Sequence, residues 1–462
     1  MTKSLLIILL CSLIKADAQL PQLKISANKR FFQTADGKPF FWLGDTGWLL
    51  FIKCKREDAI KYLDDRREKG FNVVQVMLIH DVKLAVNAYG DSSIHNGDVS
   101  KPVIKDEHII DDLKYTYWDH VDYIIDEAAK RGIYMALVPV WGGNIKYVKE
   151  EQAKIYATFL ANRYKNKSNI IWLNGGDIKG TDGLKQWKVI GNTIRSIDKR
   201  HLMTFHPRGR NSSSAWFHHE PWLDFNMFQS GHRSYAQDTS ANETLHYGED
   251  NWKYVVDDYK LKPVKPTLDG EPSYEDIPYG LHKQDEPYWQ DHEIRRYAYW
   301  SVFAGGCGFT YGHNSVMQFY TPGDSGISFF PKVNWKEGLK APGTGQMQYL
   351  KKLLLSKSYF DRVPAQELIK NNGERYDRII ATKGKDYALF YTYNGSIIRV
   401  NTDKMNFGIT DAYWFNPRNG EIIYCYKGRS NDIKAFKPSG GQVNGNDWIL
   451  VIEASKMKFK AS

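Results

Sequence analysis

The chain has 462 residues, of which 42% are hydrophobic and 25% are charged, the composition of an ordinary globular protein. Its net charge of +10 is spread over segments such as KREDAIKYLDDRREKG, where basic and acidic residues are interspersed as on a solvated helix face. This pattern argues against a nucleic-acid-binding stripe, although a basic surface would also help to recruit an acidic polymer such as pectin. Aromatic residues reach 14%, which is typical of sugar-binding clefts and of large cores.

The N-terminus predicts export. A lysine precedes an apolar run at 5–14, and the segment ADA at 16–18 fits a cleavage site, so residues 1–18 are predicted to be a signal peptide. The run is too short to span a bilayer, and no other run of spanning length follows. A leucine stands before Cys11, where lipoprotein processing prefers a small residue. We therefore expect a protein exported to the periplasm or the cell exterior, with the cell surface as the alternative.

Three cysteines remain after residue 18, namely Cys54, Cys307 and Cys425. Their odd number and wide spacing exclude a complete disulfide framework, so we expect buried thiols. None has another cysteine or a histidine at metal-ligand spacing, so a zinc site is not expected. No cofactor of any kind is expected.

From about residue 39, short apolar or β-branched runs alternate with polar loops and with segments of helical periodicity. Eight runs are predicted to be strands: Phe40–Gly44, Asn72–Ile79, Tyr134–Val140, Ile170–Asn174, Leu202–His206, Phe225–Gln229, Pro266–Glu271 and Gly308–Gly312. Seven segments are predicted to be helices: Arg56–Lys69, Tyr117–Arg131, Glu151–Tyr164, Gly183–Ile197, Asn251–Leu261, His292–Phe303 and Gln346–Leu355. This alternation predicts an α/β fold, a (β/α)₈ TIM barrel over residues 19–355.

After about residue 356 the pattern changes to short alternating strands without long helices, as in AYWFNPRNGEIIYCYKG and WILVIEA. Turn pairs such as Asn394-Gly395 and Asn419-Gly420 separate them. We therefore predict an antiparallel β-sandwich over residues 356–462. No low-complexity linker precedes it, so the two domains are expected to pack together.

The active site of a barrel enzyme lies at the carboxyl ends of its strands, and each predicted strand here ends in a polar or aromatic residue. In chain order these residues are Asp45, His80, Trp141, Asn174 with Asp177, His206, Gln229 with His232, Glu271, and His313. Any one of them is explained equally well by capping of the following helix. Eight such strand ends on one rim are a stronger sign of a functional site.

Paired carboxylates are the candidate chemistry. The chain has no HExxH metal motif, no GxSxG serine elbow and no Gly-rich phosphate loop at a strand-to-helix turn. Asp177 follows the fourth strand and Glu271 ends the seventh, on opposite sides of the barrel mouth, as glycoside hydrolysis by two carboxyls requires. A separation of about 5 to 5.5 Å between the two carboxyls would predict retention of anomeric configuration.

Each carboxylate also has a structural interpretation. Asp177 could cap a helix or bind loop backbone, and Glu271 could form a salt bridge with Arg295 or Arg296. Asp269 shares strand parity with Glu271 and could compete as nucleophile, but it is expected one layer deeper, as a barrel-lining partner.

Four segments resemble landmark segments of the bacterial apiosidase-like glycoside hydrolases: PFFWLGDTGWLLF, REKGFNVVQVMLI, NIIWLNGGD and PTLDGEPSYE. That family consists of barrel enzymes distantly similar to the large retaining clan, with the acid/base on strand four and the nucleophile on strand seven. The C-terminal part resembles the small β-sandwich that accompanies them and is often labelled a collagen-binding domain. The resemblance covers nearly the whole mature chain.

The resemblance implies a retaining exo-glycosidase. It places the acid/base on Asp177 of GGD, the nucleophile on Glu271 of GEP, and a residue that holds hydroxyls of the terminal sugar on Asp45 of GDT. The clan's Asn-Glu pair is replaced here by NGGD, so the acid is shorter and comes three residues later, and the two glycines are expected to let the backbone approach closely. The implied substrate is plant cell-wall pectin, from which a terminal sugar such as apiose is released.

The other strand-end residues are expected to bind substrate. Trp141, Trp48 or Trp222 would form a stacking wall, and the hydroxyl contacts would come from His80, Asn174, His206, Gln229, His232 and His313. The expected partner is an oligosaccharide or polysaccharide. Two alternatives stay open: a barrel that has lost catalysis and binds carbohydrate or matrix, and an endo-glycanase with a long groove. The long loop from Asp81 to Lys114 favours exo action, because it is expected to wall off one end of the site.

Overall fold

The computed structural model describes residues 20–105, 108–239, 241, 245–370, 372–405, 407–432 and 435–455. The predicted signal peptide therefore lies outside the described residues. No helix within these ranges is long and apolar enough to cross a membrane.

The centre of the molecule is a nine-stranded sheet that curls into a nearly closed barrel. Its eight parallel strands overlap the eight predicted ones and are Trp42–Thr46, Val73–Met77, Tyr134–Val138, Ile170–Ile178, Met203–Pro207, Asn226–Gln229, Thr267–Asp269 and Gly308–Tyr311. The hydrogen-bonded order runs from the fifth strand down to the first, then through the eighth and seventh to the sixth, with the short antiparallel strand Asn211–Ser212 at the end.

The barrel-like sheet has one open seam. Within the described residues no ladder joins the fifth strand to the sixth, although the Asp224 backbone N–H donates to the Met203 carbonyl there at 2.8 Å. The prediction is confirmed as a mixed α/β fold with a barrel-like sheet, whereas complete (β/α)₈ closure is not seen.

Helices accompany the strands along the chain. They are Leu50–Lys53, Arg56–Glu68, Tyr117–Lys130, Glu150–Tyr164, Leu184–Ile197, Ser214–Phe217, Trp252–Lys260, Asp291–Phe303, Asn314–Met317, Trp335–Gly338 and Pro342–Leu355, with a 3₁₀ turn at Gly142–Tyr147. All seven predicted helices are present, and the largest error is at the last, which begins at Pro342 and not at Gln346. A capping box at Thr116, whose side chain accepts a hydrogen bond from the Asp119 N–H, explains why the helix Tyr117–Lys130 begins where it does.

Side-chain alternation buries both faces of the barrel-like sheet. Val74 and Val76 of the second strand pack with Leu63 of the helix Arg56–Glu68. Val73 and Met77, of opposite parity, belong to a different cluster with residues of the other strands. A residue's parity along its strand therefore decides whether it faces the helices or the barrel interior.

A small antiparallel sheet lies at the amino ends of the parallel strands. Its strands are Leu23–Ile25, Phe32–Thr34 and Pro39–Phe40, and a separate hairpin joins Ile109–Ile110 to Leu113–Lys114. Phe32 packs edge-on against Phe225, just before the sixth strand, with ring centroids 5.0 Å apart. The sheet thus covers the end of the barrel opposite to the carboxyl ends.

The C-terminal region is a separate antiparallel sheet domain, as predicted. Its strands are Val363–Pro364, Ile379–Lys383, Tyr387–Thr392, Ile398–Arg399, Ile409–Phe415, Ile422–Arg429, Ala435–Phe436 and Trp448–Ala454, which form one six-stranded and one two-stranded sheet. Cys54 and Cys307 are buried as expected, but Cys425 is exposed. Its exposure follows from its place on Ile422–Arg429, a strand at the edge of the sheet.

The two domains pack through the helix Asp291–Phe303. Arg295 forms a bidentate ion pair with Asp447 of the C-terminal sheet domain, with Nε–Oδ2 and Nη2–Oδ1 distances of 2.8 Å each. Both side chains are almost fully buried. One turn further on, the ring of Tyr299 stacks on that of Tyr391 at 4.8 Å.

We predict that Asp447→Ala lowers the free energy of unfolding by about 3 kcal/mol, because it leaves a buried guanidinium without its main partner. Urea unfolding of the variant and the wild type measures the difference. The matched control is Glu367→Ala, which removes the more exposed partner of Lys383 and should cost less than about 1 kcal/mol. Equal effects of the two substitutions would contradict the importance of the buried pair.

Candidate active site

A cavity of about 370 Å³ opens at the carboxyl ends of the parallel strands. Six of the ten predicted strand-end residues line it: His80, Trp141, Asp177, Gln229, His232 and Glu271. His206 is buried behind the cavity lining, with its Nε2 3.1 Å from Oε2 of Glu271. The residues predicted from the strand ends are therefore brought together, in large part, at one cavity.

Asp177 reaches the cavity through a β-bulge. The fourth strand pairs with the fifth as far as Gly175, opposite His206, and the pairing resumes at Ile178, opposite Pro207. Gly175, Gly176 and Asp177 have φ angles of +93°, +110° and +46°. The strand thus runs past Asn174, where it was predicted to end, and turns outward before it finishes. A non-glycine residue at positive φ is uncommon and is often found at functional sites.

Glu271 is held by two histidines. His206 Nε2 lies 3.1 Å from its Oε2, and His232 Nε2 lies 3.2 Å from its Oε1. Burial by itself would raise the pKa of Glu271, but the interactions with His206 and His232 outweigh it and lower the pKa to about 2. Glu271 is therefore an ionised carboxylate at neutral pH.

The tautomer of His206 follows from its hydrogen bonds. The Asp177 backbone N–H donates to Nδ1 of His206 at 3.2 Å, so Nδ1 is an acceptor. The neutral ring must then carry its proton on Nε2, the atom that faces Glu271. The imidazole therefore connects the backbone of one candidate catalytic residue to the carboxylate of the other.

The pKa of Asp177 is shifted in the direction opposite to that of Glu271. The Asp177 side chain is exposed to the open cavity, although the protein around the cavity still reduces its solvation. This desolvation, and then the negative charge of Glu271, raise the pKa of Asp177 to about 6. The capping interpretation is wrong, since the next helix begins at Leu184 with Gly183 as its N-cap. The other interpretation, a bond to loop backbone, is confirmed, because the Asp177 carboxyl accepts a hydrogen bond from the Gly209 backbone.

The structural interpretations of the seventh strand are also resolved. Arg295 pairs with Asp447, and Arg296 pairs with Glu249, so neither forms the salt bridge considered for Glu271. Asp269 is fully buried, with its Oδ2 accepting from Ser230 Oγ and Asn251 Nδ2 at 2.8 Å each. It lines the barrel, as expected.

The expectation that Asp45 holds sugar hydroxyls is corrected by the structure. Asp45 is fully buried, and its Oδ2 accepts from Tyr62 Oη and Arg66 Nε, each at 2.6 Å. Both partners lie on the helix Arg56–Glu68. The parity of Asp45 turns its side chain to the helix layer, so it has no surface with which to touch a ligand.

Asn174 and His313 also lie outside the cavity. Asn174 Nδ2 donates to the carbonyl of Trp187 at 2.8 Å, in the helix that follows the fourth strand. His313 Nδ1 accepts from the Ser315 N–H at 3.1 Å and caps the short helix Asn314–Met317. Both are structural residues, and the expectation that they bind substrate is corrected.

Several cavity residues were missed, and most of them lie on loops beyond the strand ends. They are Leu49, Met77, Arg208, Gly209, Arg210, Gly231, Arg233, Tyr274, Ile277, Gly280, Leu281, His282, Met317, Gln318, Gly326, Ser328 and Phe329. The RGR segment directly after the fifth strand was the clearest available signal. None of the described residues of the loop from Asp81 to Lys114 lines the cavity, so the described part of that loop does not form the expected wall.

One wall of the cavity is aromatic. Trp48 and Trp141 line it with ring centroids 5.3 Å apart, and Trp48 Nε1 donates to Tyr274 Oη at 3.0 Å. Trp222, the third tryptophan considered for this wall, is fully buried in the core beside Phe217.

Comparisons with known proteins now identify the family. Residues 26–361 match the family described as "Apiosidase-like, catalytic domain". Residues 363–453 match the one described as "Putative collagen-binding domain of a collagenase". The chain belongs to the apiosidase-like glycoside hydrolases.

Solved structures agree with this apiosidase-like membership. A structure named "Glycoside hydrolase" is 43% identical, has a TM-score of 0.89, and the match covers 95% of this chain and 98% of that one. A glycoside hydrolase family 5 structure from Bacteroides vulgatus is 44% identical with a TM-score of 0.90, over 96% of this chain and 95% of that one. No curated protein matches the chain.

We predict that Gly176→Ala lowers the kcat/KM of this apiosidase-like protein by about 10²-fold, because small displacements of catalytic groups have effects of this size. A Cβ at Gly176 would lie 2.7 Å from Cε3 of Trp141, at a φ of +110°. The bulge that carries Asp177 would have to move.

The control for this prediction is Gly143→Ala, in the neighbouring 3₁₀ turn, where a Cβ would meet nothing within 4 Å. Assays of released sugar and circular dichroism would be recorded for both variants. Unchanged activity in Gly176→Ala would contradict the role given to the bulge.

Proposed function

We propose that this chain is an exported, retaining exo-glycosidase that releases a terminal sugar of the apiose type from plant pectic glycans. Glu271 is the nucleophile, and Asp177 is first the general acid and then the general base. Export follows from the pattern of residues 1–18, and the sugar follows from the resemblance to the family.

The observation that carries the proposal is that two carboxyls line one cavity in different surroundings, since Glu271 lies against His206 and His232 and Asp177 lies at the end of the bulge. The pKa of Glu271 is lowered to about 2 and that of Asp177 is raised to about 6. Double displacement needs this difference, because one carboxyl must be ionised to attack and the other must hold a proton for the leaving oxygen.

The reaction would proceed in two steps. Glu271 attacks the anomeric carbon while Asp177 donates its proton to the glycosidic oxygen, and a glycosyl ester on Glu271 results. After the aglycone leaves, ionised Asp177 takes a proton from water, which attacks the same carbon and frees Glu271. The aromatic wall of Trp48 and Trp141 would stack on the sugar, and His80 and Gln229 would bind its hydroxyls.

Exo action is supported by the shape of the site. The cavity is bounded by loops that follow the fifth to eighth strands, including Gly280–His282 and Gly326–Phe329. A site of about 370 Å³ that loops border in this way suits the end of a glycan better than the middle of one.

We predict that Asp177→Asn and Glu271→Gln each lower kcat/KM by about 10²- to 10⁴-fold on a sugar-leaving-group substrate, the range for lost acid, base or nucleophilic catalysis. The assay digests a panel of pectic oligosaccharides and follows the first-formed anomer by NMR. Exposed Asp182→Asn and Asp285→Asn serve as matched controls and should keep wild-type activity. Full activity in both test variants, initial inversion, or binding of pectic oligosaccharides without any hydrolysis would each reject the proposal.

We also predict the pH profile. kcat/KM should be highest between about pH 2, where Glu271 becomes protonated, and about pH 6, where Asp177 loses its proton. Above about pH 6 it should fall roughly tenfold per pH unit, because only the protonated acid can assist the leaving oxygen.

An aryl glycoside with a good leaving group provides the control for the pH profile. Its phenolate departs without protonation, so the decline above about pH 6 should be much weaker in its kcat/KM. Identical alkaline declines for both substrates would show that the group titrating there is not the general acid.

A further inference from the structure

We propose that a second cavity, next to the active-site cavity, binds a neutral sugar unit through His313, Asp276 and Lys332. This second cavity has a volume of about 340 Å³ and is lined by segments that follow the seventh and eighth strands. Its size falls within the range of small-molecule sites, which is about 300 to 1,000 Å³. None of the described residues that line it takes part in the proposed reaction, so this inference goes beyond the proposed function and does not depend on it.

The second cavity shares a wall with the active-site cavity. Tyr274 and Ile277 line the active-site cavity. Glu275 and Asp276, which lie between them in the chain, line the second cavity. The loop after the seventh strand therefore separates two cavities at the same end of the barrel-like sheet. A glycan held in the second cavity would stay close to the catalytic residues.

His313 offers a hydrogen-bond donor to the second cavity. The residue is only 3% exposed, and its Nδ1 accepts from the Ser315 N–H, so the neutral ring carries its proton on Nε2. Burial, and then the charge of Arg66, lower the pKa of His313 to about 3, which keeps the ring neutral. Within the described part of the chain Nε2 makes no hydrogen bond, and it is open to the cavity. Capping uses only Nδ1, so Nε2 can bind a ligand.

Asp276 and Lys332 add an acceptor and a second donor. Lys332 Nζ lies 3.5 Å from Oδ1 of Asp276 and 3.1 Å from the centre of the Tyr288 ring. The ion pair is long, and the side chains of Asp276 and Lys332 are 22% and 49% exposed. Both charged groups are therefore accessible, and a pair of this kind contributes little to stability by itself. A ligand can bind to them without breaking a strong contact of the protein.

The charges of the lining favour an uncharged ligand. Two lysines, Lys332 and Lys340, are balanced by two acids with accessible side chains, Asp276 and Glu337. Glu275, a third acid, already accepts hydrogen bonds from a tyrosine hydroxyl and from a backbone N–H. An anion would meet the carboxylates and a cation would meet the lysines, and such like-charge contacts are unfavourable. A neutral ligand with both donors and acceptors meets neither penalty.

A sugar unit has the groups that this lining can bind. A hydroxyl both donates and accepts hydrogen bonds, so the hydroxyls of one ring can donate to Asp276 and accept from His313 and Lys332. Val333 and Pro342 add apolar surface, which can pack against the C–H groups of the ring. Since the chain belongs to a family of glycoside hydrolases, saccharides are the hydroxyl-rich molecules that it meets.

The experiment titrates the protein with galactose, rhamnose, arabinose and xylose, and with the anion galacturonate, and follows binding by saturation-transfer difference NMR. Free monosaccharides have no glycosidic bond to cleave, so the measurement needs no hydrolysis. We expect at least one neutral sugar to bind, and Asp276→Asn and Lys332→Met each to weaken that binding about tenfold, the effect of losing a hydrogen bond to a charged group. The matched control Lys336→Met removes an exposed lysine that does not line the cavity and should leave the affinity unchanged.

Asparagine suits position 276 because it tolerates the φ angle of +58° found there, and circular dichroism checks that each variant is folded. A third variant, Trp141→Ala, reports on the active-site cavity. The proposal is overturned if no neutral sugar binds, if the affinity is unchanged in both cavity variants, or if it depends on Trp141 and not on Asp276 and Lys332. Tighter binding of galacturonate that is lost in the same two variants would also reject it, because the site would then be an anion site. Failure of the proposed reaction would change none of these results.

Discussion

The candidate active site depends on one imidazole. His206 accepts a hydrogen bond from the Asp177 backbone and lies against the Glu271 carboxylate, and these two contacts define both its tautomer and its orientation. With His232 it favours the ionised form of Glu271, and that negative charge in turn helps Asp177 to keep its proton. The difference between the pKa values of the two carboxyls therefore depends on the contacts among Asp177, Glu271 and the two histidines. Each carboxyl would have a different pKa without the other.

The bulge in the fourth strand makes this connection geometrically possible. A regular strand would place Asp177 in register with the fifth strand, and its backbone N–H would be used in the ladder. Two glycines at positive φ release that N–H, which then reaches His206. They also allow close contact, because a Cβ at Gly175 would lie 2.6 Å from the His206 carbonyl oxygen.

Sequence reasoning predicted the strands and the helices, because local apolar patterns determine these elements. It also predicted that Asp177 and Glu271 follow strand ends on one rim, and the structure places both at the same cavity. It predicted the wrong roles for Asp45 and Asn174, because it considered only that both residues lie at strand ends. It did not consider side-chain alternation along the strand, which turns both side chains towards the helices. Arg233 was not predicted, since no local pattern reveals how a loop folds back over a cavity. The bulge was not predicted, because the two glycines indicated only a close approach of the backbone and the bulge depends on pairing with the neighbouring strand, which is a tertiary property.

The C-terminal sheet domain contributes to the same site through a chain of contacts. Tyr376 Oη donates to Oε1 of Glu249 at 2.9 Å, and the same carboxylate oxygen accepts from the Tyr235 N–H at 3.1 Å. Tyr235 lies two residues after Arg233, on the loop that borders the cavity. The side chain of Arg375, also from the sheet domain, lies 5.0 Å above the Tyr235 ring. The domain that resembles a matrix-binding module is thus part of the support for a cavity loop, so its removal would alter the barrel's site as well as any binding of its own.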